Sequence, residues 1–369
     1  MDPNPHHVLW AGLALGCAFG AAAQVSRFCL LRGLRQWRGE DGGDTRGAPA
    51  LQAFALALAV ALVGSQWLAY TGQIDWANAP IVRARFSLTA TFVGGLLFGV
   101  GMVLARSCGA RALVLLGSGN LRALVALAAL GLGAQATLTG VLAPLRHWLQ
   151  GWGAVTLSHG TLPGQLQAQG VPALVAVTAS TAVLAALLLA YALWRPALRR
   201  SPREWLGALV IGTLVAAGWW ISANVGFDPF EPIPLISLSF VGPVADTLLY
   251  VQMAAGRSFS LGAAIVVGTL LGALVAALAT RTARWEGFDS PSRLAASAFG
   301  GVLMGFGGVL ALGCTIGHGL TGLSALAVAS VPALLGIVVG ALITLRVRSR
   351  GMGLINACLP QVDVCVSSH

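Results

Sequence analysis

The chain has 369 residues, of which 57% are hydrophobic and only 9% are charged, and its formal net charge is +10. Globular domains average about 25% charged residues, so the composition excludes an ordinary soluble protein and predicts an integral membrane protein. The positive charge does not indicate a nucleic-acid partner, because the arginines stand in short segments between apolar runs and act there as topology signals.

Apolar stretches long enough to cross a hydrocarbon layer of about 30 Å recur along the chain. A short segment around Asp246 is predicted to be re-entrant or interfacial rather than a further span. The fold class that follows is an all-α polytopic membrane protein with about nine transmembrane helices and short re-entrant helices. The predicted spans are 9–28, 50–70, 87–106, 122–143, 171–194, 204–222, 260–280, 294–313 and 323–345.

Most arginines fall in the loops that follow the first, third, fifth, seventh and ninth spans. Under the positive-inside rule these loops face the cytoplasm. The sequence therefore predicts that the N-terminus lies outside and that the C-terminal tail, residues 349–369, lies in the cytoplasm.

Three cysteines follow a glycine pair at one fixed spacing, Gly-x3-Gly-x8-Cys. We call them the repeat cysteines: Cys29 after Gly16 and Gly20, Cys108 after Gly95 and Gly99, and Cys314 after Gly301 and Gly305. A fourth, weaker copy has Gly212 and Ala216 in place of the glycines and Val225 in place of the cysteine. Small residues four apart let helices pack closely, but packing does not explain the common register of the thiols.

The copies belong to spans that run in opposite directions, which predicts an inverted internal repeat. Spans 1–4 and 6–9 are the two halves, and the fifth span connects them. We predict a first half with its connecting span at 1–195 and a second half at 196–348. Inverted repeats in transporters place the substrate near the midplane, at the repeat interface.

The residues after Cys108 and Cys314 do not continue a helix. Glycines are dense there, above all at Gly313, Gly317, Gly319 and Gly322, and such irregular backbone is tolerated at membrane depth only where it is buried in protein or lines a polar cavity. The freed N–H groups and the starts of short helices offer fixed dipoles to an anion. The pattern therefore indicates a site for a negatively charged ligand.

Packing, redox chemistry and metal binding are the other roles open to the cysteines. Simple packing is the ordinary role of a lone membrane cysteine such as Cys17, and a redox pair is disfavoured because the repeat cysteines form no CxxC. A metal site needs about four ligands, and His318 is the one histidine close to this set in sequence, so no metal or cofactor is predicted. Thiols with an ordinary pKa of about 8.5 are neutral S–H donors, which favours a sulfur-containing anion as ligand.

Two stretches carry a specific resemblance to a known family. Residues 94–109, GGLLFGVGMVLARSCG, and 300–322, GGVLMGFGGVLALGCTIGHGLTG, resemble the signature of the YeeE/YedE family, bacterial thiosulfate transporters of the sulfur-transport group. The resemblance implies an hourglass-like protein of the bacterial inner membrane, with its N-terminus in the periplasm, that takes thiosulfate into an outer, positively charged concavity and passes it through a waist of three cysteines. Here these would be Cys29, Cys108 and Cys314.

We expect thiosulfate uptake through thiols and backbone donors, with no enzymatic activity. The alternatives are transport of another sulfur- or selenium-containing species and, less favoured, a membrane thiol enzyme. Expected partners are thiosulfate, the lipid bilayer and a small cytoplasmic sulfur-carrier protein. The tail holds Cys358 and Cys365, which could relay sulfur, although an unstructured end is the simpler expectation. The predicted substrate-binding residues are Cys29, Cys108, Cys314, Gly109, Thr315, Gly317, His318 and Gly319.

Overall fold

Fourteen α-helices make up most of the part of the chain that the structure, a computed structural model, describes. That part is residues 5–40, 48–225, 234–256, 258–287 and 290–358. A two-stranded antiparallel sheet pairs β1, Arg85–Ser87, with β2, Ala154–Thr156. The helices are α1 Pro5–Ser26, α2 Leu30–Trp37, α3 Pro49–Tyr70, α4 Leu88–Leu104, α5 Gly109–Gly117, α6 Leu121–Leu138, α7 Ala143–Gly151, α8 Leu162–Ala168, α9 Ala173–Trp194, α10 Pro202–Trp220, α11 Val241–Gln252, α12 Leu261–Ala279, α13 Pro291–Ala311 and α14 Ser330–Cys358.

Nine segments of the described residues are long and apolar enough to cross a membrane, which confirms the predicted fold class. Two of them are interrupted: His7–Trp37 combines α1 with α2, and Leu88–Gly117 combines α4 with α5. Helix α11, which contains Asp246, has 12 residues. At 1.5 Å per residue it extends about 18 Å, too short to cross the bilayer.

The last helix is longer than the sequence indicates. A span ending at 345 was expected, but α14 runs on to Cys358, so the first residues of the tail are helical. Arginine is a good helix former and its charged head can stay in water. The helix can therefore continue through Arg346 and Arg348, beyond its apolar part. The second tail cysteine, Cys365, lies outside the described residues.

The helix contacts repeat when the two halves of the chain are exchanged. Helix α1 packs on α12 as α10 packs on α3, and α4 packs on α14 as α13 packs on α6. The short helices follow the same rule, since α2 contacts α3 and α14 while α11 contacts α12 and α6. Helices α1 and α10 contact each other, as do α4 and α13, so the two halves meet along equivalent helices.

Glycines bring these helices into close contact. A Cβ atom on Gly94 would lie 2.7 Å from the carbonyl oxygen of Gly307, and one on Gly307 would lie 2.5 Å from the carbonyl oxygen of Gly94. The glycine pairs that precede the repeat cysteines pack in the same way, with Gly16 and Gly20 against α12, Gly95 and Gly99 against α14, and Gly301 and Gly305 against α6. The glycine pairs thus serve helix packing, and they set the position of the chain that follows them.

Contacts between loops form on two opposite faces of the helix bundle. On the first, the backbone N–H of Leu121 donates to the carbonyl of Glu286 at 3.1 Å, and the carboxylate of Glu286 pairs with Arg122 at 3.3 Å. We call this the arginine-rich face. On the other, β1 pairs with β2 and the N–H of Leu162 donates to the carbonyl of Leu326 at 2.9 Å. We call this the strand face.

Candidate functional site

Each repeat cysteine stands directly before the start of a helix. Cys29 and Cys108 are the N-cap residues of α2 and α5, both with extended backbone. Cys314 precedes a short helix, residues 315–324, whose middle, Gly317–Gly322, is π-helical. The first N–H groups of a helix lack partners within it and carry partial positive charge, so the repeat cysteines mark three places suited to an anion.

A left-handed residue lies two positions before each repeat cysteine. Arg27, Arg106 and Leu312 have φ of 52°, 57° and 68°. None of them is glycine, and an L-residue in this region costs about 1–2 kcal/mol. The left-handed residue ends the preceding helix and turns the chain, so the same break is built three times in front of a thiol. Strain of this kind concentrates at functional sites.

Two of the repeat cysteines share one small cavity, which we call the waist cavity. The thiols of Cys29 and Cys108 lie within hydrogen-bonding reach of each other. The cavity has a volume of about 10 Å³, close to the least that holds one water molecule, so the waist is closed in this structure. It is lined by Phe19, Ala23, Phe28, Cys29, Leu30, Cys108, Ala110, Arg111, Val114, Thr315 and Ile316.

Thr315 contributes an unsatisfied polar atom to the waist cavity. Its side chain is 1% exposed, and its hydroxyl lies close to the Cys108 thiol but makes no hydrogen bond with any described residue. A buried hydroxyl without a partner costs about 1–3 kcal/mol. A ligand with acceptor oxygens in the waist cavity would remove that cost.

Arg111 provides the positive charge nearest to the two thiols. It lines the waist cavity from the first turn of α5, and its guanidinium donates to the carbonyl of Ala23 at 3.2 Å. Ala23 lies near the C-terminal end of α1, where carbonyl groups lack helical partners. The contact anchors the arginine beside the waist rather than in solvent.

Cys314 forms a second cluster next to the waist cavity instead of lining it. Its sulfur is fully buried and accepts a hydrogen bond from the N–H of Gly317 at 3.3 Å. Ser239, two residues before α11, adds a hydroxyl beside Gly317, because a Cβ on Gly317 would lie 3.1 Å from its Oγ. Sequence reasoning missed Ser239; the available signal was a serine just before a short apolar segment with a proline in its first turn.

The structural counterpart of Cys29 is therefore not Val225. Helix α11 makes the contacts in the second half that α2 makes in the first, so the residues before α11, Ser239 and Phe240, take the corresponding place. The alignment by spacing put Val225 there because it could not account for the chain between α10 and α11. Phe240 packs on Phe19 of the waist cavity with ring centroids 5.0 Å apart.

Three predicted site residues lie behind these clusters. His318 is fully buried, and both ring nitrogens have partners, Ser330 Oγ at 3.1 Å and the Ala311 carbonyl at 3.0 Å. Gly319 faces the ring of Phe54, where an added Cβ would lie 2.8 Å from Cζ. Gly109 is the first residue of α5 and faces Leu130 rather than the cavity.

A larger cavity opens on the arginine-rich face, and we call it the arginine vestibule. Its main chamber has a volume of about 440 Å³, and a side chamber of about 190 Å³ shares Val103, Arg106 and Arg348 with it. Ser107 lines the main chamber while Cys108 lines the waist cavity, so one short loop separates the two. The arginines of the vestibule are Arg35, Arg106, Arg122, Arg293 and Arg348.

Arg83 stands on the strand face, in the loop before β1. Burial lowers its pKa to about 10, which leaves it charged at neutral pH. Its Nε has no hydrogen-bond partner among the described residues, and its charge acts on His318. A partly buried cation therefore lies above the loop that carries Cys314.

The sequence also matches a known protein family. A sequence profile described as sulphur transport matches residues 25–343, a range that contains all three repeat cysteines. The chain belongs to the sulphur transport family. This confirms the resemblance seen in the sequence, because the match covers both halves of the fold.

Two curated transporters resemble this chain. The thiosulfate transporter TsuA of Escherichia coli (strain K12) is 26% identical over 337 residues, which cover 85% of this chain and 87% of that protein. The thiosulfate transporter TsuA of Spirochaeta thermophila is 27% identical over 330 residues, which cover 88% of this chain and 94% of that protein. The likeness to both thus extends over almost the whole fold.

Proposed function

We propose that this chain carries thiosulfate across the membrane and is not an enzyme. One observation carries the proposal: Cys29, Cys108 and the unpartnered hydroxyl of Thr315 meet in one buried cavity at the starts of short helices. Membership of the sulphur transport family and the names of the two relatives support the same substrate.

Several weak donors must act together on the anion. Dehydrating a small divalent anion costs tens of kcal/mol by Born reasoning, whereas one hydrogen bond to a charged partner contributes about 1.5–3 kcal/mol. Two thiols alone therefore cannot hold thiosulfate. We assign the remainder to the Thr315 hydroxyl, to the N–H groups at the starts of α2 and α5, and to the charge of Arg111.

The second cluster serves as the neighbouring station of the path. Cys314 offers a thiol and Ser239 a hydroxyl on either side of Gly317, whose N–H donates to the Cys314 sulfur. We assign His318 to holding this loop in place, since both of its ring nitrogens have partners in the protein. Gly109 and Gly319 have no side chain, and for this reason Leu130 and Phe54 can pack close to the path.

Passage requires the waist to open, because its cavity of about 10 Å³ holds no more than one water. We propose that the halves 1–195 and 196–348 move against each other around the cysteines, as inverted repeats do in other transporters. Arg83 attracts the anion on the strand face before this step. The strand face is then the periplasmic side of a bacterial inner membrane, and the C-terminus is cytoplasmic.

Cysteine labelling tests this orientation. In a parent with Cys358→Ser and Cys365→Ser, an impermeant maleimide added to intact cells should label Ala77→Cys and Gln167→Cys on the strand face. It should label Ala283→Cys on the arginine-rich face only after the cells are permeabilised. All three positions are exposed, so access depends on the side of the membrane. Labelling of Ala283→Cys in intact cells, with the other two protected, would reverse the topology.

Reconstituted protein tests the function itself. Proteoliposomes that contain the chain should accumulate radiolabelled thiosulfate at least tenfold above protein-free vesicles, because only a transporter moves it into the lumen unchanged. Conversion of thiosulfate without accumulation would instead establish a membrane thiol enzyme. Accumulation of selenium oxyanions but not of thiosulfate would establish the alternative substrate class. We also propose that a small sulfur-carrier protein meets the arginine-rich face, which pull-down with the reconstituted chain would check.

A further inference from the structure

The arginine vestibule is more basic than topology alone requires. Within the described residues, Arg35, Arg106, Arg122, Arg293 and Arg348 line its two chambers, and Glu40 is the single acidic lining residue. Glu40 forms an ion pair with Arg38 at 3.2 Å, and Arg38 does not line either chamber. Arginines in surface loops can satisfy the positive-inside rule without converging on one cavity.

Two of these arginines have no counter-ion among the described residues. Arg106 and Arg348 line both chambers, and the side chain of neither makes a hydrogen bond or ion pair with another described residue. The charges of Arg348, Arg293, Arg35 and Arg122 all act on Arg106. Like charges held together repel each other, and a multivalent anion between them would relieve the repulsion.

Polar groups complete the vestibule. Asn120, Ser107, Ser292, Ser297 and Thr344 line the main chamber together with the arginines. Guanidinium groups bind oxyanions through paired N–H donors, and hydroxyl and amide groups add single donors. A volume of about 440 Å³ is enough for a small oxyanion with some of its water.

The vestibule also lies next to the waist. In the loop before α5, Arg106 and Ser107 line the main chamber and Cys108 lines the waist cavity. At the start of α2, Leu30 lines the waist cavity and Leu31 lines the side chamber. An anion that leaves the thiols on this side enters the arginine vestibule first.

We propose that the arginine vestibule is a binding site of its own for a tetrahedral oxyanion group, which it receives from the waist. The role of the vestibule as the exit site for the transported anion rests on the proposed transport of thiosulfate, whereas its ability to bind an oxyanion does not. The same tetrahedral group could come from free sulfate or thiosulfate or from the phosphate of an anionic lipid, and the vestibule would bind either through the same arginines.

Sulfate binding by the full-length protein tests the site without relying on transport. In nanodiscs of phosphatidylcholine alone, radiolabelled sulfate should bind with an affinity that falls steeply with salt. The double variant Arg106→Gln and Arg348→Gln should weaken binding at least tenfold. The matched control, Arg200→Gln with Arg203→Gln, removes the same charge from exposed positions of the same face outside the vestibule and should stay within twofold.

Two further measurements separate the outcomes. Cys108→Ala should leave the affinity for sulfate within twofold of the wild-type value, because the Cys108 thiol belongs to the waist cavity. This expectation for sulfate affinity is the same whether or not the chain transports thiosulfate. If phosphatidylglycerol in the nanodisc abolishes sulfate binding, the site is supported but its occupant is a lipid phosphate and the exit role is overturned. Equal sulfate binding by the Arg106→Gln, Arg348→Gln variant, with an unchanged melting temperature, would overturn the site.

Discussion

Cys108→Ala is expected to reduce thiosulfate uptake at least tenfold while the protein still folds. The thiol of Cys108 lies between the Cys29 thiol and the Thr315 hydroxyl, so its loss removes the central donor of the waist. Alanine fills most of the volume, and the helix starts are held by backbone contacts rather than by the thiol. Uptake into proteoliposomes and the melting temperature of the purified variant are the two measurements.

Cys17→Ala is the matched control, since Cys17 is half-buried in α1 and does not line the waist cavity. It should transport at the wild-type rate. Cys108→Ser then separates a thiol-specific step from a general donor. Wild-type uptake in the serine variant would show that a hydroxyl is sufficient, and the role of sulfur in the relay would have to be abandoned.

Gly317→Val and Gly319→Val are each expected to block uptake even though every cysteine is intact. A Cβ on Gly317 would lie 3.1 Å from Ser239 Oγ and 3.7 Å from Cys314 Sγ, and one on Gly319 would lie 2.8 Å from the Phe54 ring. The added methyl groups of valine would therefore displace the loop that carries Cys314. Uptake per folded molecule, with folding judged by size-exclusion profile and melting temperature, is the measurement.

Gly151→Val is the control, because no atom lies within 4 Å of a Cβ at Gly151, and it should leave uptake unchanged. A gentler pair tests the contact directly: Gly317→Ala should reduce uptake severalfold and lower the melting temperature, and adding Ser239→Ala should restore the melting temperature by removing the crowded Oγ. Full activity in both valine variants would mean that these glycines serve only packing. No rescue in the double variant would rule out Ser239 as the obstructing neighbour.

The membrane class and the repeated thiol element could be predicted from the sequence. Nine apolar segments follow from hydropathy, because every backbone polar group in a bilayer must be paired within its own helix, and their number agrees with that found in the described part of the chain. The spacing before Cys29, Cys108 and Cys314 indicated one element used three times, since each glycine pair fixes a helix contact and each break follows at the same distance.

Only the tertiary structure decided which of these groups meet. By spacing alone the three repeat cysteines are equivalent. In the structure, Cys29 and Cys108 share the waist cavity. Cys314 instead contacts the N–H of Gly317, and it is Thr315 that lies close to the Cys108 thiol. Spacing also aligned Val225 with Cys29, whereas the contacts of α11 put Ser239 and Phe240 in that place. A local pattern determines where a helix breaks, but the side chains that converge there depend on how distant helices pack, and that is not encoded at any fixed spacing along the chain.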